Sequence, residues 1–306
     1  MIAVYVTEAL LYLCFSLLIG TLLIHLVPPH LKPPLKLSKR VLQVSILGIV
    51  LLSAAPVVRV ILFLYEDIGL LLTIRNVIGE FAVGKAWTLT IIVSLFFYLF
   101  VSVIPVLERK AFIAAALAFT AVLLVALGWA SHSASLTDWS GLVFHTLHFA
   151  AVTVWVGLLL VVSWFSTSQQ NWLPFLKWYT PVALSCLAVV IVSGLFIMTL
   201  AVELTEYQET WMMPYGQALL LKHLMVLPVL LFALINGVWI RRKLQRGSNI
   251  NPLPWAKAES VILLLIFIAT GFWGSRSRPI PLRPIYGAVA PRKSSIISIP
   301  EVSIRP

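Results

Sequence analysis

Three of the chain's six histidines, His132, His145 and His148, fall within one short run, WASHSASLTDWSGLVFHTLH at 129–148. Imidazole is the commonest protein metal ligand, bound through whichever ring nitrogen the other's hydrogen bond leaves with the lone pair. Softer donors recur further along: Met198, then Met212 and Met213 in WMMPYG, then His223 and Met225. Imidazole with thioether suits copper, Cu(I) above all, whereas carboxylate-rich sets suit harder ions. Spacing sorts these candidates. His145 and His148 are three apart and share one face of a helix. His223 and Met225 are two apart, a step of about 200° on an ideal helix, so they do not enter one pocket from the same helix.

The elements that must carry these groups follow from composition. The 306 residues are 60% hydrophobic and 11% charged, with mean hydropathy +1.01. Soluble domains carry about 25% charged residues, so the solvent that fits this chain is a lipid bilayer. The net charge of +11 does not mark a nucleic-acid binder, because Lys and Arg sit in short runs between apolar blocks rather than on one folded basic face. Cys14 and Cys186 both lie inside apolar blocks and form neither a CxxC pair nor a disulfide framework; they read as small buried hydrophobes. Neither a phosphate-binding G-x4-G-K-[ST] loop nor an HExxH helix occurs, so the chain is expected to be neither ATP-driven nor an enzyme.

A spanning helix needs about 20 apolar residues. The sequence predicts eight, at 2–27, 41–65, 86–107, 111–130, 140–165, 177–202, 216–240 and 256–274, an all-α polytopic membrane bundle. The stretch 68–85 carries Arg75 and Glu80 and reads as an outer, interfacial loop with a helical turn or two. Basic residues gather in the loops 28–40, 108–110 and 241–255; acidic ones gather opposite, at Glu66 and Asp67, at Asp138, and at Glu203, Glu206 and Glu209. Lys and Arg mark the cytoplasmic side, which puts the N-terminus outside. The tail 276–306 is basic and proline-containing, with little apolar periodicity, and is expected to be poorly ordered.

This topology gives each histidine a height. His132 falls at the outer mouth, and His145 and His148 lie roughly 8 to 12 Å below it. His223 enters the same layer from the seventh segment, and Met198 from the sixth. His25 and His30 belong to the opposite end. The acids Glu203, Glu206 and Glu209 would concentrate cations at the entrance. Arg59, in the second segment, reads as a buried charge with Glu66 or Glu203 as candidate partners.

The motifs resemble those of the copper resistance protein D (CopD) family. His148, Trp155 and Gly157 follow its H-x6-W-x-G pattern. WYTPVALSCLAVVIVSGL at 178–195, then Tyr215-Gly216 with Lys222 and Asn236, then Glu259 and the closing SRSRP, agree with its later blocks in order. Gly84 and Trp87 match its G-x-x-W, and His132 stands in Ser-His-Ser where the family has Gly-His-Ala. Thr90 stands near a position where Arg is common. The resemblance divides the chain into two N-terminal helices with the start of an outer loop (1–80), a CopD-like domain (81–275) and the tail (276–306). It implies copper handling in the bacterial cytoplasmic membrane, commonly as uptake from outside. It also implies an extracytoplasmic copper donor of CopC type as partner, beside the lipid bilayer.

The expected metal site is therefore His132, His145, His148, His223, Met198 and Met225. The main reading is a copper permease. Alternatives are a haem-binding electron-transfer protein, with axial histidines on two helices, and a copper sensor or assembly factor that only binds the ion. The orientation is directly testable. A single cysteine introduced within 131–139, in a background without Cys14 and Cys186, should react with an impermeant maleimide in intact cells; labelling only after permeabilisation reverses the topology.

Overall fold

A computed structural model describes residues 2–131, 139–201, 217, 224, 227–228, 230–231, 233–246 and 250–274. The helices, in chain order, are α1 (Ile2–Leu26), α2 (Lys39–Ile68), α3 (Leu70–Gly79), α4 (Ala82–Val103) and α5 (Lys110–Trp129). They continue with α6 (Trp139–Phe165), α7 (Trp172–Ala201), α8 (Arg241–Gln245) and α9 (Leu253–Gly274). A π-helical turn, Ile235–Ile240, runs directly into α8. No sheet forms among the described residues; one isolated bridge pairs Leu35 with Ser166.

Six of these helices are long and apolar enough to cross a membrane: α1, α2, α4, α5, α6 and α7. They coincide with the first six predicted segments, and α9 covers the eighth. The seventh, 216–240, lies mostly outside the described residues. The outward surface is itself apolar: Leu51 is 74% and Val103 78% exposed. Only hydrocarbon could cover such a surface, and the chain is a membrane helix bundle.

Helix α6 is the axis. It packs against α1, α5, α7 and α9, and every residue from Trp155 to Ser163 is buried. A helix buried on all sides is apolar all round. Its contact with α1 is made by backbones, because a Cβ on Gly20 would collide with the Gly157 carbonyl, and one on Gly157 with the Ser16 carbonyl. Around this pair the core divides. Leu11, Phe15, Leu18 and Leu22 of α1 pack with α2, α4 and α5, while Ile24 and Val27 join α6, α7 and α9.

The segment after α2 is more ordered than expected. Gly69, at φ 82, breaks the helix with its N–H on the Tyr65 carbonyl, and α3 then runs ten residues instead of a turn or two. Thr73 and Val77 are buried against α2 and α4, while Leu71 is 83% exposed. Arg59 also departs from expectation. Its side chain is exposed on the outer flank of α2, so it is not a buried charge needing a partner within the bundle.

Hydrogen bonds gather the basic loops on one face. Lys36 N–H donates to Phe165 O (2.9 Å), Thr167 N–H to Pro34 O (2.9 Å) and Lys32 Nζ to Ile24 O (2.6 Å). Asn171 Nδ2 donates to Pro29 O and Lys32 O, and Lys39 Nζ to Ser102 O at the end of α4. Gly237, just before α8, packs on Thr180 near the start of α7, which brings Arg241 and Arg242 to the same face. Burial in this clasp lowers the pKa of Lys32 from its usual value.

The glycine contact predicts a selective cost. Gly157→Val forces α1 and α6 apart and should destabilise the bundle by about 1–3 kcal/mol, read as a lowered thermal midpoint in detergent. Gly79→Ala, where an added Cβ meets nothing within 4 Å, should leave stability unchanged or raise it by up to ~1 kcal/mol.

Candidate metal-binding site

His148 is placed by the α6–α7 interface at the end away from the basic face. Two contacts set the register of that interface: the Phe144 and Phe196 rings stack with centroids 4.3 Å apart, and the His148 ring lies against Gly194. A Cβ added at Gly194 would sit 3.4 Å from His148 Cε1, so the glycine makes the bed on which the imidazole rests.

The ring is oriented by hydrogen bonds. His148 Nδ1–H donates to Val190 O (3.1 Å), with Ser193 Oγ 3.2 Å from the same nitrogen. A carbonyl can only accept, so Nδ1 carries the proton and the lone pair falls on Nε2. This is the arrangement found in metal-binding histidines, where a carbonyl behind the ring fixes the tautomer and raises the basicity of the ligating nitrogen. Ser193 is itself buried and bonds back to Val189 O and Val190 O, so the ring's support is rigid.

His145 is half-buried one turn further from the basic face on α6. The antiparallel register puts the half-buried Met198, four residues beyond Gly194, at the level of Phe144 and His145. The structure thus brings His145, His148 and the Met198 segment to one end of the α6–α7 pair. His132, His223 and Met225 lie outside the described residues. Among the described residues no group of three or more His, Cys, Asp or Glu side chains gathers as a metal cluster. His25 donates from Nδ1 to Thr21 O (2.7 Å) near the basic face, far from this layer. Cys14 packs against Gly48 of α2, a packing role. An opening between α1, α2, α4 and α5 is lined by residues such as Phe15, Pro56, Trp87 and Leu123, and contributes neither imidazole nor thioether.

Sequence reasoning missed the groups that hold His148. Ser193 and Val190 lie more than 40 positions away, and nothing local marks them. The available signal is the spacing of polar residues on α7, where Tyr179, Cys186 and Ser193 recur every seven positions.

Comparisons with known proteins agree with this architecture. Residues 173–273 match the family described as copper resistance protein D, and residues 1–142 match the family described as copper resistance protein D-like, N-terminal domain. The chain is 28% identical over 291 residues to copper transport protein CutJ of Bacillus subtilis (strain 168), covering 89% of this chain and 52% of that protein. It therefore spans about half the length of the curated relative it matches. No solved structure matches the chain.

Proposed function

Because this chain belongs to the copper resistance protein D family, we propose that it carries copper from the extracytoplasmic side across the bacterial cytoplasmic membrane. In this reading copper is the cargo, and it is accepted at an outer site in which His148 is the central ligand. The observation that supports the proposal is the hydrogen bond from His148 Nδ1 to Val190 O, which leaves the imidazole lone pair on Nε2, the nitrogen that would ligate the ion. His145 and Met198 are the neighbouring donors, with His132, His223 and Met225 completing the set. An imidazole and thioether set favours Cu(I).

A soluble copper-binding protein of CopC type is the proposed donor at the outer face. The driving force would come from the membrane potential, since the chain contains no nucleotide-binding loop and a cation moving inward gains about 2.3 kcal/mol per 100 mV.

Competitive titration of purified protein with a Cu(I) chelator tests the site. His148→Ala should weaken affinity at least about tenfold, ~1.4 kcal/mol. Ser193→Ala, which loosens the ring without removing it, should cost about tenfold or less. An unchanged affinity in His148→Ala rejects the site. Copper uptake into proteoliposomes tests transport itself.

A further inference from the structure

The basic face carries a set of side chains that the copper reading leaves unused. Trp239, in the π-helical turn, and Lys243, four residues on in α8, share one side of their helix. Lys243 Nζ lies over the Trp239 ring, 4.4 Å from its centroid, and Arg242 is exposed beside them. Trp239 meets the first turn of α9 at Trp255, with ring centroids 5.6 Å apart. On the other side of α9 the pattern repeats. Lys257 Nζ lies over the Trp164 ring, 5.1 Å from its centroid, and Trp164 Nε1 donates to Ser260 Oγ (2.9 Å).

Trp255 and Lys257 are about 200° apart around α9, and the helix turns its exposed stripe outward between them. That stripe is apolar: Val261, Leu265 and Ile268 are all exposed. Trp164 is 50% and Trp239 42% exposed, so each ring stands at one rim of the stripe with a side open to lipid. A tryptophan at the end of a span sits at headgroup depth, where its body is in hydrocarbon and its N–H is wet. A lysine on such a ring is held but not neutralised, because the ring carries no net charge and the ammonium keeps N–H groups to donate. Carboxylates do not cancel these charges either. Among the described residues the ion pair is Lys85 with Glu80, at the opposite end of the bundle. Glu259, the acid of α9, is buried on the side of the helix away from the stripe.

We propose that this surface binds an anionic phospholipid of the leaflet at the basic face. Its headgroup lies on the cationic rim of Arg242, Lys243 and Lys257, and an acyl chain runs along Val261, Leu265 and Ile268. Basic groups between spans at this depth recognise anionic headgroups. A zwitterionic lipid offers the same chain but brings an ammonium group that the rim repels. A free phosphate offers the charge but nothing to cover the stripe. The surface is therefore complementary to both parts of one molecule, and the bound lipid ties α8 and α6 to α9 from outside. This site goes beyond the copper reading and does not rest on it.

Quenching of tryptophan fluorescence by phospholipids brominated on their acyl chains, in vesicles holding the full chain, tests the site. Phosphatidylglycerol should bind the wild type at least about tenfold more tightly than phosphatidylcholine. Lys243→Gln combined with Lys257→Gln should bring that ratio within about twofold of one, whereas Lys→Arg at both positions should keep it. Trp164→Phe with Trp239→Phe should remove the selective part of the quenching, since these rings report from the rim. Equal affinity of the wild type for the two lipids reduces the surface to ordinary lipid contact and overturns the proposal. So does a selectivity that survives the double Gln variant. Inorganic phosphate that displaces phosphatidylglycerol assigns the cations to a free anion, which also overturns it. If the double Gln variant does not fold, the double Phe variant decides, because selective quenching that persists there places the lipid elsewhere.

Discussion

The architecture depends on one close approach, the backbone contact of Gly20 in α1 with Gly157 in α6. In lipid there is no hydrophobic force between helices, because hydrocarbon solvates an apolar side chain as well as a neighbouring helix does. Packing must supply the attraction, and it does so best where two backbones touch. This contact lets α6 sit in the middle, with α1, α5, α7 and α9 around it. It also makes α1 common to both halves of the core, the α2–α4–α5 cluster and the α6–α7–α9 cluster.

A second constraint is that polar groups within the bundle need partners inside it. Most hydroxyls meet it within their own helix. Thr90, Thr120, Thr153 and Thr180 each donate to the carbonyl four residues back, at 2.7 to 2.9 Å. Such bonds are local to one helix. His148 differs, because its partners belong to another helix. An imidazole held across an interface is a tertiary feature, fixed in rotation and tautomer by residues of the facing helix.

The two family matches, over 1–142 and 173–273, leave the middle of the chain between them, and most of α6 lies there. The helix that bears His148 is thus the one that joins the two matched parts. The basic face is organised by the same joint: the loop after α1 and the loop after α6 bond to one another at Lys36 and Thr167. Charge asymmetry and hydrogen bonding therefore identify the same end of the bundle.

The sequence by itself determined the class of molecule, the positions of the first six spans and the choice of candidate ligands. Each of these is local: 20 apolar residues in a row define a span, and a histidine within one is conspicuous. It also determined that His145 and His148 share a face, since that follows from helical pitch alone. Only the tertiary structure decided that α6 is central, that Arg59 points outward, that α3 is a full helix after Gly69, and that Val190 and Ser193 aim the His148 ring. It likewise decided that Glu259, which in sequence merely opens the last helix, is buried. The physical reason is the same throughout. A helix apolar on every side carries no stripe to show which face meets its neighbour, so register and rotation emerge only when the backbones pack.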